Sequence, residues 1–219
     1  VRDEPYRSPN PREVAPVHVV TDDEVLARPG FALVARWLLE AGGADVALHL
    51  RGPTSGGRLL YELACELAPV AEGSGAAVIV NDRIDVALAA RAHGVQLGQR
   101  SLSLAKARSV ARGRGRLQLG VSVHGPDEAR AAGDADWWLV GTLWPTPSHP
   151  GHPGDGPGRL RELAAGGRVP CIGIGGVDLE RVADVRAAGG AGIAVLGGIW
   201  HAADPVVALH SLVERWHSS

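Results

Sequence analysis

The feature that most constrains this chain is a pattern met eight times in succession: a short, continuously apolar run followed by a stretch of helical length. The runs are 17–21 (VHVVT), 45–51 (DVALHLR), 77–81 (AVIVN), 94–98 (GVQLG), 118–123 (QLGVSV), 136–141 (DWWLVG), 170–175 (PCIGIG) and 192–197 (GIAVLG). The helical stretches are 31–42, 57–71, 83–92, 103–112, 126–132, 158–165, 178–188 and 204–216. Runs that are apolar throughout, rather than at alternate positions, suit parallel strands covered by helices. Eight β-then-α units predict a single (β/α)8 TIM barrel, whereas a doubly wound open sheet would need fewer strands. The barrel is placed at 17–217. Residues 1–16, polar and proline-containing, are read as a short mobile N-terminal arm.

Composition narrows the function classes. Hydrophobic residues make up 45% and charged residues 21%, which excludes a disordered chain. A net charge of −2 offers no basic surplus for nucleic acid or an anionic membrane. No run approaches the ~18 apolar residues of a membrane span and no leader pattern opens the sequence, so a cytoplasmic location is expected. Met is absent, so residue 1 is not expected to be the biological start. Cys65 and Cys171 lie too far apart in sequence to suggest a disulfide framework or a zinc site. The one lysine, Lys106, falls in a helical stretch, which argues against a Schiff-base enzyme. A homo-oligomer and a monomer both stay open.

On a barrel, the residues ending the strands share one mouth. Here they are Thr21, Asp22, His49, Arg51, Asn81, Asp82, Gly98, Gln99, Ser122, His124, Gly141 and Thr142, followed by two glycine pairs. The pairs, Gly175–Gly176 and Gly197–Gly198, end the seventh and eighth runs, where barrels commonly bind phosphate through backbone N–H groups. Relief of crowding at a turn is the plainer explanation for either pair alone. His124 stands at the mouth with the side chain best suited to proton transfer near neutral pH. His49 shares that place. His149 and His152 lie on a long Pro/Gly-rich loop (142–157), read as a lid; His18 and His93 read as core or helix-end residues, and His201, His210 and His217 as solvent-facing. Arg51 could clamp a carboxylate or phosphate. Asn81–Asp82 could hold a metal or cap the next helix. With no second acid at a neighbouring strand end, no metal site is expected.

Seven motifs in order, HLR (49–51), VNDRIDVALA (80–89), GVQLGQ (94–99), GVSVH (120–124), WPTPS (144–148), IGIGGV (172–177) and AGIAVLGGI (191–199), resemble the thiamine-phosphate synthase/thiazole tautomerase (TenI-type) superfamily over about residues 17–215. Synthases usually read Gln-x-Arg-x-Lys after the second strand, an Asp after the fourth, and Thr-Lys in the sixth loop. This sequence has His49, Arg51 and Pro53, then Ser101, then Ser148–His149. The departures bring it closer to the tautomerase branch. The resemblance then implies an isomerase of thiamine biosynthesis that aromatises a carboxy-thiazole phosphate. His124 would be the proton-transfer residue, with His49, Arg51, Asn81 and Thr142 on the substrate and Gly175, Gly176, Gly197 and Gly198 on the phosphate. No cofactor is implied for that reaction. The first alternative is a thiamine-phosphate synthase with a modified pyrophosphate site, which would need Mg2+. The second is a non-catalytic phosphate-binding barrel.

Overall fold

A computed structural model describes residues 14–113, 117–148 and 150–219. Eight strands, β1 (Val17–Val20), β2 (Val46–Leu50), β3 (Ala77–Asn81), β4 (Gly94–Leu97), β5 (Gln118–Val123), β6 (Trp137–Val140), β7 (Cys171–Ile174) and β8 (Gly192–Val195), form a closed barrel in sequence order. Every pairing is parallel, and β8 closes on β1 through Val17 opposite Ile193. The helices are α1 (Asp23–Leu26), α2 (Phe31–Gly42), α3 (Gly57–Ser74), α4 (Ile84–Ala89), α5 (Leu104–Ala111), α6 (Pro126–Ala132), α7 (Pro157–Ala164), α8 (Val182–Ala187), α9 (Gly197–Trp200) and α10 (Pro205–Ser218). The barrel expected from the repeated pattern is the barrel observed.

Local chemistry explains most boundaries. Asp22 caps α1 by accepting from the Val25 N–H, and Asp204 caps α10 by accepting from Val206 and Val207. Pro126 and Pro157 open α6 and α7, where the missing N–H costs nothing. Two short helices escape periodicity because four residues are too few to show it: α1, and α9, which takes in Gly197–Gly198. The helix expected over 178–188 is trimmed to Val182–Ala187, because Asp178 spends its side chain on the turn at Arg181.

Alternation along each strand splits the apolar residues into two sets. Val17, Val19, Leu48, Leu50, Val78 and Val80 face outward into the layer under the helices. Val20, Ala47, Ile79, Trp137, Leu139, Ile172 and Ala194 fill the barrel interior. Val14 and Ala15, expected in the arm, instead pack against this interior set and close its floor; the rest of the arm, 1–13, lies outside the described residues. Trp137, 1% exposed, occupies space that two glycines leave free. A Cβ on Gly120 would fall 2.1 Å from its ring, and one on Gly94 would fall 3.2 Å from it.

Gly120→Ala should therefore force the ring out of place and destabilise the fold by about 1–3 kcal/mol, measured by urea unfolding. Gly73→Ala, on helix α3 with open space around it, should be neutral or stabilising by up to about 1 kcal/mol.

Candidate active site

The mouth is built from the C-terminal ends of the strands, and its centre of polar chemistry lies over β3, β4 and β5. His124 follows β5 directly, with its side chain about half exposed. Glu128, one turn into α6, reaches back so that its Oε2 accepts from the His124 backbone N–H at 2.7 Å and lies 3.0 Å from Nδ1. Gln99 Nε2 donates to the same oxygen at 2.9 Å. Partial burial alone would push the Glu128 carboxyl up, but the hydrogen bonds from His124 and Gln99 outweigh it and hold it below its ordinary value. An ionised Glu128 accepts only, so the His124 ring carries its proton on Nδ1 and presents the Nε2 lone pair. Arg159, from α7, donates to the His124 carbonyl at 2.6 Å and ties the β6–α7 loop to the same corner.

Asp82 adopts a left-handed backbone, φ 64. It does not cap α4, whose N-cap is Arg83 without a side-chain bond. Its Oδ1 instead accepts from the Gly98 N–H at 3.0 Å and from the Ser101 hydroxyl. A Cβ on Gly98 would stand 3.1 Å from that oxygen, a tight contact to which the carboxylate would have to yield by a few tenths of an ångström. Among the described residues no group of three or more His, Cys, Asp or Glu could hold a metal ion. The Mg2+ that synthase chemistry implies would meet a single carboxylate, Asp82, with one oxygen already engaged, and would depend on substrate phosphates for further ligands.

Across the mouth, Thr21 Oγ1 contacts the carbonyls of His49 and Arg51, each at 2.9 Å, and accepts the Arg51 N–H at 2.8 Å. The end of β2 is thereby fixed. The Arg51 guanidinium, partly buried, has no ion pair or hydrogen bond among the described residues. Among the described residues it is a cation at a strand end with its charge unspent. His49 departs from the expectation of a substrate contact: it is fully buried, touching the Asn81 amide at 3.2 Å and His18 at 2.8 Å. A second interior chain runs from the Trp137 indole, which donates to Gln96 Oε1 at 2.8 Å, through Gln96 Nε2 to Ser122 Oγ at 3.0 Å.

The glycine pairs differ. Gly175 and Gly176 have φ 96 and 65, and a Cβ on either would collide with the 142–145 segment. Their carbonyls accept from the Trp144 N–H and from Arg181, whose guanidinium also stacks 5.2 Å over the Trp144 ring. That pair therefore has a packing role the sequence does not separate from anion binding. Gly197 and Gly198 are not crowded in this way; they sit in the first turn of α9, where backbone N–H groups lack intrahelical partners. Thr142 is buried behind Gly175, and its carbonyl accepts from the Asp155 N–H. His152 is spent on the Gly154 N–H, and His149 lies outside the described residues. Glu128 and Arg159 are the site residues that sequence reasoning misses. A signal for Glu128 exists, since a glutamate four residues after a strand-end histidine can reach back across a helix N-terminus.

The buried histidines give the site a pH signature. Burial pushes His49 down to about 4, and burial with the neighbouring His49 pushes His18 well below its ordinary value. The unfolded chain binds protons near pH 6.5 that the folded pair refuses, so stability is lost as pH falls from about 6.5 toward 4. His49 alone should contribute a loss on the order of 3 kcal/mol. Urea unfolding between pH 7.5 and 4.5 should show a steep slope that becomes shallower in His49→Gln.

Residues 17–199 match the thiamine monophosphate synthase family. The thiamine-phosphate synthase of Mycobacterium bovis is 41% identical over 185 residues, spanning 78% of this chain and 82% of the relative. That of Methanoregula boonei is 37% identical over 202 residues, spanning 91% and 92%. The structure of thiamine phosphate pyrophosphorylase from Pyrococcus furiosus superposes with a TM-score of 0.81 at 28% identity, covering 95% of this chain and 98% of that one. These relatives bear the name of the synthase, the alternative reading of the sequence, and not of the tautomerase. With the barrel, the ordered motifs and the match over 17–199 in agreement, the chain belongs to the thiamine monophosphate synthase family.

Proposed function

We propose that this chain is an enzyme of thiamine biosynthesis that takes a phosphorylated thiazole into its mouth, and that the step performed there is proton transfer through His124. The observation that carries the reading is the dyad: a carboxylate, Glu128, anchors the His124 N–H and ring Nδ1 and leaves Nε2 free to accept a proton. In the tautomerase reaction the substrate is a carboxy-thiazole phosphate with an exocyclic double bond. The C2–H bond breaks and its proton passes to His124 Nε2. The electron pair moves through the ring to the exocyclic carbon, which takes a proton back, and the ring becomes aromatic. Glu128 stabilises the imidazolium formed between the two transfers, and such acid–base help contributes about 10²–10⁴-fold. Arg51 is assigned to the carboxylate, because its guanidinium is otherwise unpaired among the described residues. The phosphate is assigned to the backbone around Gly176, Gly197 and Gly198 and Asn81 to the rim, whereas Thr142, buried behind Gly175, supports that segment from within.

A second reading, thiamine-phosphate synthase, is favoured by the relatives, which carry that name at 41% and 37% identity. In it, a thiazole phosphate displaces pyrophosphate from a pyrimidine. Against it stand Pro53 and Ser101 at positions where synthases carry lysine and aspartate, since pyrophosphate departure needs concentrated positive charge. The two are separated by running both assays on the same preparation. One follows aromatisation of the thiazole carboxylate phosphate by NMR; the other follows thiamine phosphate formation from pyrimidine pyrophosphate and thiazole phosphate with Mg2+. Turnover confined to the second assay overturns the proton-transfer reading. Turnover in neither, with phosphate still bound, leaves a non-catalytic barrel.

His124→Asn should lower kcat by about 10²-fold or more with KM little changed. Glu128→Gln should lower it by about tenfold, because the amide still accepts from the ring but no longer stabilises its cation.

A further inference from the structure

We infer that Arg181 is a positioning residue for the anion end of the mouth: it holds the Gly176 carbonyl and thereby aims the Val177 N–H alongside that of Gly176. The inference rests on the proposed seating of the substrate phosphate at Gly176, and it holds for both reactions considered above.

Along a regular strand, successive carbonyls point to opposite edges. The segment leaving β7 breaks this rule. The Ile174 carbonyl accepts from the Leu143 N–H at 2.9 Å, and the Gly175 carbonyl accepts from the Trp144 N–H at 3.0 Å. The Gly176 carbonyl accepts from the Arg181 guanidinium, which lies over the Trp144 ring, 5.2 Å from its centre. Three successive carbonyls therefore face the segment that follows β6. Positive φ at Gly175 and Gly176, 96 and 65, turns the peptides the same way, and glycine adopts it readily. In a planar trans peptide the N–H points opposite to the C=O. The N–H groups of Gly176 and Val177 thus both face away from Trp144, on the side where β8 lies. Neither has a hydrogen-bond partner among the described residues. Successive N–H groups turned the same way form a concave donor site for an anion. Val177 is only 7% exposed, so an N–H there that found no acceptor would be costly.

The first two peptides of this run are anchored by main chain and depend on no side chain. The last is held, among the described residues, by Arg181 alone. Arg181 is placed by its stack on Trp144, by an ion pair with Asp178 at 3.4 Å, and by its own N–H, which donates to Asp178 Oδ1 at 3.1 Å. A guanidinium stacks through its face while donating in its plane, a combination that an ammonium lacks. Without that donor, the peptide between Gly176 and Val177 has glycine on one side and is free to rotate. The Val177 N–H then leaves the pair.

The test titrates the full chain, labelled with 15N, with inorganic phosphate. In the wild type the Gly176 and Val177 amide signals should both move and saturate together. Movement of Gly176 alone overturns the inference and leaves the phosphate where it is proposed. Movement of neither overturns that seating, and the inference with it. Arg181→Met removes the donor and keeps much of the side chain's length. It should weaken phosphate binding about tenfold, and at saturation Gly176 should still respond while Val177 no longer does. Loss of a positive charge alone would leave both responses at saturation, and general loosening would remove both; either result overturns the inference. In whichever assay shows turnover, KM should rise about tenfold with kcat little changed. Arg181→Lys restores a donor and should recover the Val177 response, with affinity within about threefold of wild type. Should Arg181→Met fail to fold, Trp144→Leu takes away only the surface on which the guanidinium rests. It should weaken the Val177 response more than that of Gly176, and equal effects on the two would overturn the inference.

Discussion

Closing eight parallel strands creates an interior that has to be filled, and Trp137 is the group on which this filling depends. Its ring occupies the place of side chains at Gly94 and Gly120, and its indole N–H, a donor only, orders the polar groups above it. Gln96 must turn its oxygen to the indole, so its nitrogen goes to Ser122. One bulky residue thus sets a packing layer and the polarity of a strand end two residues from His124. A cavity there would loosen both, because interiors this dense relax only partially around a missing group.

The mouth divides its labour in space. Over β3–β5 two hydrogen-bonded sets stand side by side, Asp82 with Gly98 and Ser101, and His124 with Glu128 and Gln99. The segment after β6 is fastened on the other side by the Gly175 and Gly176 carbonyls, with Arg181 stacked on Trp144. Thr21 links the ends of β1 and β2 and thereby holds Arg51. The anchors on strand ends, Thr21 and the Gly175 carbonyl, give more precise placement than a free loop allows.

The architecture was legible because strand and helix periods alternate eight times, and the mouth followed because barrel strand ends converge. His124, Arg51 and Asn81 lie there as expected. His49 was misplaced for a physical reason: a histidine in an apolar strand is taken for a rim residue when its depth depends on barrel closure, which pairs it with His18 on another strand. The glycine pairs looked alike in sequence, yet one is pressed against a neighbouring backbone and the other opens a short helix. Glu128 and Arg159 act through contacts from helices; the four-residue spacing from His124 signals Glu128, whereas nothing in type or spacing reveals Arg159.

The closed floor has a kinetic meaning. Val14 and Ala15 seal the end of the barrel opposite His124, and the interior between is occupied by side chains. The barrel is a blind vessel with one opening. On the proposed function, substrate and product would use that one door and the same phosphate contacts, so product release would precede the next binding event. Product inhibition in such a vessel is competitive with substrate.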